Sequence, residues 1–88
     1  MTKAITYEFL AQKVADYFNE AIKEGGFDDF KDMASCYWWT PKDIKDEVNA
    51  IISEYDACID EVDGTDVCLY DKLLSYRKFS SMWRKLLK

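Results

Sequence analysis

Residues that interrupt helices are scarce in this sequence, which has one proline and three glycines among its 88 residues. The long stretches between them favour helices over a sheet of many strands, because proline and glycine are the residues that helix interiors tolerate least. Apolar residues make up 49% of the chain, which separates it from the composition of unfolded chains. A chain of this length forms one domain. We therefore predict a single all-α domain over residues 1–88, a compact bundle of three long helices and one short helix.

The first two helices are predicted from apolar residues at helical spacing and from the residues at their ends. A helix runs from Thr6 to Glu24, where Thr6 can cap its start. Gly25-Gly26 ends this helix, since glycine tolerates the left-handed conformation found just after a helix. A shorter helix follows from Asp28 to about Tyr37.

The strongest boundary in the chain is Thr40-Pro41-Lys42-Asp43, which is typical of a helix start. Threonine caps the helix, proline takes the first helical position, where its missing N–H costs nothing, and the aspartate takes the third. We predict that the third helix runs from here to about Glu61 and stops at Asp63-Gly64. A last helix is predicted from Thr65 or Asp66 to the C-terminus.

Residues 58–69 also fit a second structure. Asp-Gly is a favoured type I′ turn, so Cys58 to Leu69 can form a short β-hairpin around Asp63-Gly64. The long helical periods on both sides favour the helices, and the hairpin stays the alternative.

The chain contains no histidine, and this excludes several kinds of catalytic site. Histidine is the commonest general base and metal ligand in proteins, so serine–histidine, cysteine–histidine and histidine–metal chemistry are all absent. Acidic residues are too numerous for any one carboxylate pair to indicate a glycosidase. We predict that the protein is not an enzyme and has no catalytic residue.

The three cysteines, Cys36, Cys58 and Cys68, form no C-x-x-C pair, and their odd number does not suit a disulfide scaffold. We expect them to be free and buried like small apolar residues. The acidic segment around Gly64 fails as a calcium loop, because that register places Ile59 and Tyr70 where carboxylates are required. No metal and no cofactor are predicted.

The charge is strongly segregated along the sequence. Residues 27–66 carry twelve acidic and three basic side chains, whereas residues 67–88 carry one acidic and six basic side chains. This asymmetry is informative about partners rather than about the fold. We predict an acidic face on the third helix that occupies a basic surface of another protein by imitating nucleic-acid charge. Its residues are Asp43, Asp46, Glu47, Glu54, Asp60 and Glu61.

The acidic face and the basic last helix each have a simpler interpretation. The carboxylates are a solvated surface partly neutralised by lysines and by the last helix, and the terminal cations favour the helix dipole. The last helix is expected to dock on the acidic third helix. Direct binding of this basic helix to RNA or to a membrane surface is an alternative function.

Tyr37-Trp38-Trp39 is the other candidate contact surface. Three neighbours on a helix point about 100° apart, so at least one of these rings is expected to stay partly exposed. Tryptophan and tyrosine are enriched among the residues that dominate binding energy, and we predict that Trp38 or Trp39 anchors a partner. The alternative is that two of the three rings cover the junction between helices.

In its size, its acidity and its lack of catalytic motifs, the whole chain resembles small accessory proteins of phages and other mobile elements, including anti-CRISPR inhibitors. The resemblance rests on no motif and assigns no role to any residue. It implies a small binding protein that inhibits a nucleic-acid-handling partner. The main alternative is a structural or regulatory homodimer that buries its aromatic residues against a second copy.

No run approaches the ~18 consecutive apolar residues of a membrane-spanning helix, and residues 1–6 lack the apolar core of a signal peptide. We therefore expect a cytoplasmic protein with no membrane span.

Overall fold

The computed structural model of the chain describes residues 5–60, 65–70 and 72–88. It shows an α+β fold, so the prediction of an all-α bundle is wrong. The described elements are, in chain order, α1 (Tyr7–Gly25), α2 (Phe30–Cys36), α3 (Pro41–Ile52), a 3₁₀ turn (Ser53–Tyr55), β1 (Ala57–Ile59), β2 (Asp66–Leu69), β3 (Lys72–Ser75) and α4 (Tyr76–Lys85).

The ends of α1 are as the sequence predicts. The Thr6 hydroxyl accepts a hydrogen bond from the Phe9 N–H at 3.1 Å. At the other end Gly26 is left-handed, with φ +69°. The Phe27 N–H donates to the Ile22 carbonyl at 3.0 Å, and the Gly26 N–H donates to the Lys23 carbonyl at 3.3 Å. These two bonds define a Schellman motif with glycine at the left-handed position.

The start of α3 confirms the predicted boundary. Pro41 is its first residue, and Thr40 and Asp43 form a capping box. The Thr40 N–H donates to the Asp43 carboxylate at 2.8 Å, and the Asp43 N–H donates to the Thr40 hydroxyl at 3.2 Å. The Thr40 hydroxyl also donates to the Asp43 carboxylate, at 3.0 Å. The bonds that this carboxylate accepts from the Thr40 backbone N–H and hydroxyl hold the pKa of Asp43 below its ordinary value.

The end of the predicted third helix is wrong, because α3 stops at Ile52 instead of continuing to Glu61. A 3₁₀ turn follows, and Asp56 then takes the left-handed conformation with φ +61°, which turns the chain out of the helix. From Ala57 to Ile59 burial alternates from residue to residue, which is the periodicity of a strand. Short apolar runs of this kind fit helical and strand spacing equally well.

The predicted start of the last helix is also wrong. Residues 66–69 and 72–75 form β2 and β3, and α4 begins only at Tyr76, where the Ser75 hydroxyl accepts a hydrogen bond from the Lys78 N–H. The alternative hairpin is confirmed, since β1 and β2 pair antiparallel with Cys58 opposite Cys68. The proposed Asp63-Gly64 turn lies outside the described residues.

The sheet has the strand order β1-β2-β3 and is antiparallel throughout. Ile59, Val67 and Leu69 point into the core, so the residues between them face outward. Two side chains from the helices hold the sheet in place. The side-chain oxygen of Asn49 on α3 accepts a hydrogen bond from the Ile59 N–H at 2.9 Å. The Tyr7 hydroxyl on α1 lies 3.0 Å from the Val67 carbonyl oxygen.

The core lies between α1, the other helices and the inner side of the sheet. Its largest fully buried side chains are Trp83, Phe18 and Phe79. The basic α4 packs chiefly against α1 and the sheet, and not chiefly on α3 as predicted. It meets α3 where Lys45 Nζ lies 4.8 Å from the centroid of the Tyr76 ring. Within the described residues, no helix is both long enough and apolar enough to cross a membrane.

Candidate protein-binding surface

Trp38 lies at the C-terminal end of α2, in the same motif that ends α1. The Trp39 N–H donates to the Ala34 carbonyl at 2.9 Å, and the Trp38 N–H donates to the Ser35 carbonyl at 3.2 Å. These two bonds form a second Schellman motif, in which Trp38 takes the left-handed position with φ +59°. The backbone of this turn directs the Trp38 side chain into solvent, where it is 87% exposed.

A tryptophan at this position is costly. The left-handed conformation costs an ordinary residue about 1–2 kcal/mol, because its Cβ approaches the following carbonyl oxygen. The chain places glycine at the equivalent position after α1 and a large, exposed aromatic residue after α2. The strained backbone opposes stability here, and a ring that stays in water buries too little area to offset the strain. Strained residues are concentrated at functional sites.

The neighbours of Trp38 have different environments. Trp39 is half-buried, and its ring lies 6.2 Å from the Phe18 ring in the core. Tyr37 is 55% exposed and stacks on Trp39, with ring centroids 5.4 Å apart. Trp39 therefore covers the junction between helices, whereas the simpler interpretation predicts that two of the three rings do so. Of the two candidate anchors, only Trp38 is free to enter a partner.

Trp38 borders a groove of about 600 Å³ between α2, the start of α3 and the end of α4. We call it the aromatic groove. It is lined by Phe30, Lys31, Ala34, Ser35, Trp38, Trp39, Ile44 and Arg84. The Arg84 guanidinium lies over the Trp83 ring at 4.7 Å, which favours a cation–π contact.

A second surface is rich in carboxylates and covers one side of α1 and the junction of α1 with α3. Two adjoining depressions meet at Tyr17, which is 52% exposed. We call this surface the acidic groove. Its five carboxylates are Asp16, Glu20, Glu24, Glu47 and Glu54. In the described part of the chain, no ion pair with a lysine or arginine is formed by Glu20, Glu47 or Glu54.

The six acidic residues predicted as one helical face are not together in the structure. Glu47 and Glu54 line the acidic groove, and Asp46 is exposed on α3. Asp43 belongs to the capping box. Asp60 follows β1, where its N–H donates to the Asp66 carbonyl at 2.9 Å, and Glu61 lies outside the described residues.

The carboxylates that α1 contributes to the acidic groove were not predicted from the sequence. Asp16, Glu20 and Glu24 recur at four-residue spacing and therefore share one side of that helix. This spacing was a readable signal, but only the packing of α1 beside α3 shows that the acids of both helices surround Tyr17. Lys31 and Arg84, which line the aromatic groove, were missed because they come from distant parts of the sequence.

Comparison with known proteins gives no match to a family model, to a curated protein sequence or to a solved structure. We therefore infer function from the conformation of Trp38 and from the two grooves.

Proposed function

We propose that this chain is a non-enzymatic binding protein that inserts Trp38 into a partner protein and places its acidic groove on basic residues of the same partner. The observation that carries the proposal is the conformation of Trp38. A left-handed tryptophan that is 87% exposed, at a position where α1 uses glycine, reduces stability and is understandable as a binding anchor.

The two grooves lie along one side of α3, which lets a single partner contact both. Ile44 lines the aromatic groove, and Glu47 and Ile51 line the acidic groove. Residues three and four apart on a helix are neighbours on its surface, so these three side chains form one row. A partner seated on Trp38 therefore extends over Glu47 without having to pass around the helix.

The charge of the acidic groove supports a partner with a basic surface. Several uncompensated carboxylates from two helices create a field that attracts cations and accelerates association. Proteins that handle nucleic acids carry basic surfaces for phosphate, and carboxylates can occupy them. An inhibitor or modulator of a nucleic-acid-handling protein is the specific form of this proposal.

Binding kinetics test the two parts of the surface separately. The partner is recovered with the tagged chain and purified, and rates are then measured over a series of salt concentrations. We expect salt to slow association strongly, because screening removes the steering field. Trp38→Ala is expected to raise the dissociation rate by about 30-fold, as for a residue that contributes about 2 kcal/mol. An association rate that is independent of salt refutes the role of the carboxylates.

Two charge variants of equal net charge locate the contact. Glu47→Gln with Glu54→Gln removes two charges from the acidic groove, whereas Glu8→Gln with Asp28→Asn removes two exposed charges outside it. We expect only the first pair to slow association several-fold. Equal effects of the two pairs would mean that net charge alone acts, and the acidic groove would not be the contact.

A homodimer is the second candidate function, because Trp38 and Tyr37 together form an exposed aromatic surface. A second copy that covers these rings would hide the same apolar area. Sedimentation over a range of micromolar concentrations decides between the two, since a strict monomer excludes the dimer. A dimer that Trp38→Ala dissociates would instead replace the proposal of a foreign partner.

A further inference from the structure

Two cysteines share one register position of the sheet, on its outward-facing side. Cys58 of β1 is directly opposite Cys68 of β2. Both are free thiols, Cys58 exposed and Cys68 partly exposed. Cys36 is exposed as well, so the expectation that the cysteines are buried is wrong for all three. Opposite residues of an antiparallel pair project to the same side of the sheet, which places the two thiols next to each other.

The hydrogen bonds around Cys58 and Cys68 show whether the two residues are a hydrogen-bonded or a non-hydrogen-bonded pair of the antiparallel ladder. The Asp60 N–H donates to the Asp66 carbonyl at 2.9 Å, which makes those two residues a hydrogen-bonded pair. The Ile59 N–H points away from β2 and donates to Asn49 on α3. Hydrogen-bonded and non-hydrogen-bonded pairs alternate along the ladder, so Cys58 and Cys68 are again a hydrogen-bonded pair. Their Cα atoms are therefore about 5.5 Å apart, which lies inside the range of about 4.4–6.8 Å found in disulfides.

The Cβ separation is less favourable and makes the bond labile. Opposite Cβ atoms in such pairs are up to about 5.5 Å apart, whereas a disulfide requires about 3.5–4.5 Å. The strands must therefore move together by about 1 Å at this point. β1 has three residues and lies at the edge of the sheet, which allows such a movement. A strained, exposed disulfide is reduced more easily than a structural one.

We propose that Cys58 and Cys68 are a reversible oxidation site. Low-molecular-weight disulfides such as oxidised glutathione oxidise the two thiols to an intramolecular disulfide. The Cys58 thiolate attacks one sulfur of oxidised glutathione, which forms a mixed disulfide and releases one glutathione thiolate. The Cys68 thiolate then attacks Cys58 Sγ and releases the second glutathione. The two protein thiols lose two electrons and two protons in total, and the oxidant becomes two molecules of glutathione.

The roles of the two thiols follow from their surroundings. Cys58 is the more exposed and meets the oxidant first. Desolvation raises the pKa of the Cys68 thiol, and the neighbouring Cys58 raises it further. Because the thiolate is the attacking species, closure of the bridge is expected to accelerate as the pH rises.

Mass spectrometry of the oxidised protein tests the site. The folded chain is incubated with excess oxidised glutathione at mildly alkaline pH, blocked with N-ethylmaleimide and digested with trypsin. Residues 46–72 then form one peptide that contains both cysteines, and Cys36 lies in the peptide of residues 32–42. We expect the first peptide to be lighter by two hydrogen atoms and to carry no maleimide. Reduced glutathione should restore its two maleimide labels.

Any other labelling of the 46–72 peptide overturns the proposal, including two maleimides, bound glutathione or a link to a second chain. Three single cysteine-to-serine variants test which two cysteines form the bridge. Cys58→Ser and Cys68→Ser should each stop at the glutathione mixed disulfide, whereas Cys36→Ser should form the bridge like the parent chain. Loss of the bridge in Cys36→Ser would show that Cys36 is a partner and would refute the assignment.

A comparison of folded and unfolded protein shows whether the sheet brings the thiols together. At one fixed ratio of oxidised to reduced glutathione, the bridged fraction is measured in buffer and in concentrated urea. The bridge closes an 11-residue loop, and it forms more readily in the folded chain, where the two thiols are already held together, than in the unfolded chain. Strain in the folded state reduces this advantage, and we expect the ratio of bridged to reduced chain to be about tenfold higher in buffer than in urea. An equal ratio in the two solvents would contradict the proposed geometry.

Discussion

The left-handed conformation of Trp38 predicts an unusual pair of mutants. Trp38→Ala and Trp38→Gly both remove the indole ring, which is 87% exposed and therefore contributes little buried area. They differ only in the residue that must take φ near +59° at the end of α2. Alanine keeps the steric cost of that conformation, and glycine removes it. We expect the glycine variant to be the more stable of the two.

The size of the difference follows from two opposing contributions. Relief of the left-handed conformation stabilises the glycine variant by about 1–2 kcal/mol. The greater freedom of glycine in the unfolded chain opposes this by about 0.5–1 kcal/mol. The free energy of unfolding of Trp38→Gly should therefore exceed that of Trp38→Ala by about 0.5–1 kcal/mol. For a domain of this size, that corresponds to a melting temperature higher by about 3–6 °C.

The equivalent position after α1 provides an internal calibration. Gly26 has φ +69° in the same motif, and a Cβ added there meets no atom within 4 Å. Gly26→Ala should therefore lose stability by the same amount that separates the two Trp38 variants. Urea denaturation at constant m-value measures all three differences. If Gly26→Ala is destabilised while the two Trp38 variants are equally stable, Trp38 is not held in the left-handed conformation and the argument for a strained anchor fails. Trp38→Ala and Trp38→Gly should weaken binding to the partner protein to the same extent, because both remove the indole ring.

Three further predictions concern the contacts that join the helices and the sheet. Tyr7→Phe removes the hydroxyl that contacts carbonyl oxygens of two strands. In urea titrations this variant should have a free energy of unfolding lower by about 1–2 kcal/mol. An unchanged free energy of unfolding would show that this contact is absent in solution. Asn49→Ala leaves the Ile59 N–H without its acceptor, and a similar loss should accompany faster hydrogen exchange at that amide. The lowered pKa of Asp43 means that its contribution is present above the unfolded-state pKa and is lost as the pH falls through the folded-state pKa. Below about pH 4, Asp43→Asn should therefore lose less stability than the parent chain, and parallel losses would contradict the capping box.

The first half of the chain was predictable because its signals are local. Thr6, Gly26 and the segment from Thr40 to Asp43 each determine a helix end through bonds to residues three to five positions away. Such bonds form in the same way in almost any fold, so sequence patterns identify them directly. The segregation of charge and the exposure of one ring near Trp38 were also readable from the sequence.

The three strands, at residues 57–59, 66–69 and 72–75, were predicted as helix because their structure depends on distant partners. Apolar residues there fit a helix by spacing, yet Ile59, Val67 and Leu69 are buried as alternate residues of strands. The choice depends on hydrogen bonds from other elements, such as those of Asn49 and Tyr7, which lie 10 and 60 residues away from the strand residues that they contact. Apolar spacing does not contain that information, and the Asp63-Gly64 turn signal indicated the first hairpin only as an alternative.

Some features of the candidate site were likewise predictable from local sequence, and others depend on how the elements pack. Local sequence signals identified the starts of α1 and α3, although not that of α4, together with the acidic and basic segments and the exceptional run of three aromatic residues. The packing of separate elements leaves Trp38 exposed and Trp39 partly buried, and it brings the carboxylates of α1 beside those of α3 around Tyr17. The physical reason is that capping and charge are properties of neighbouring residues, whereas burial and the shape of a groove arise when separate elements pack together.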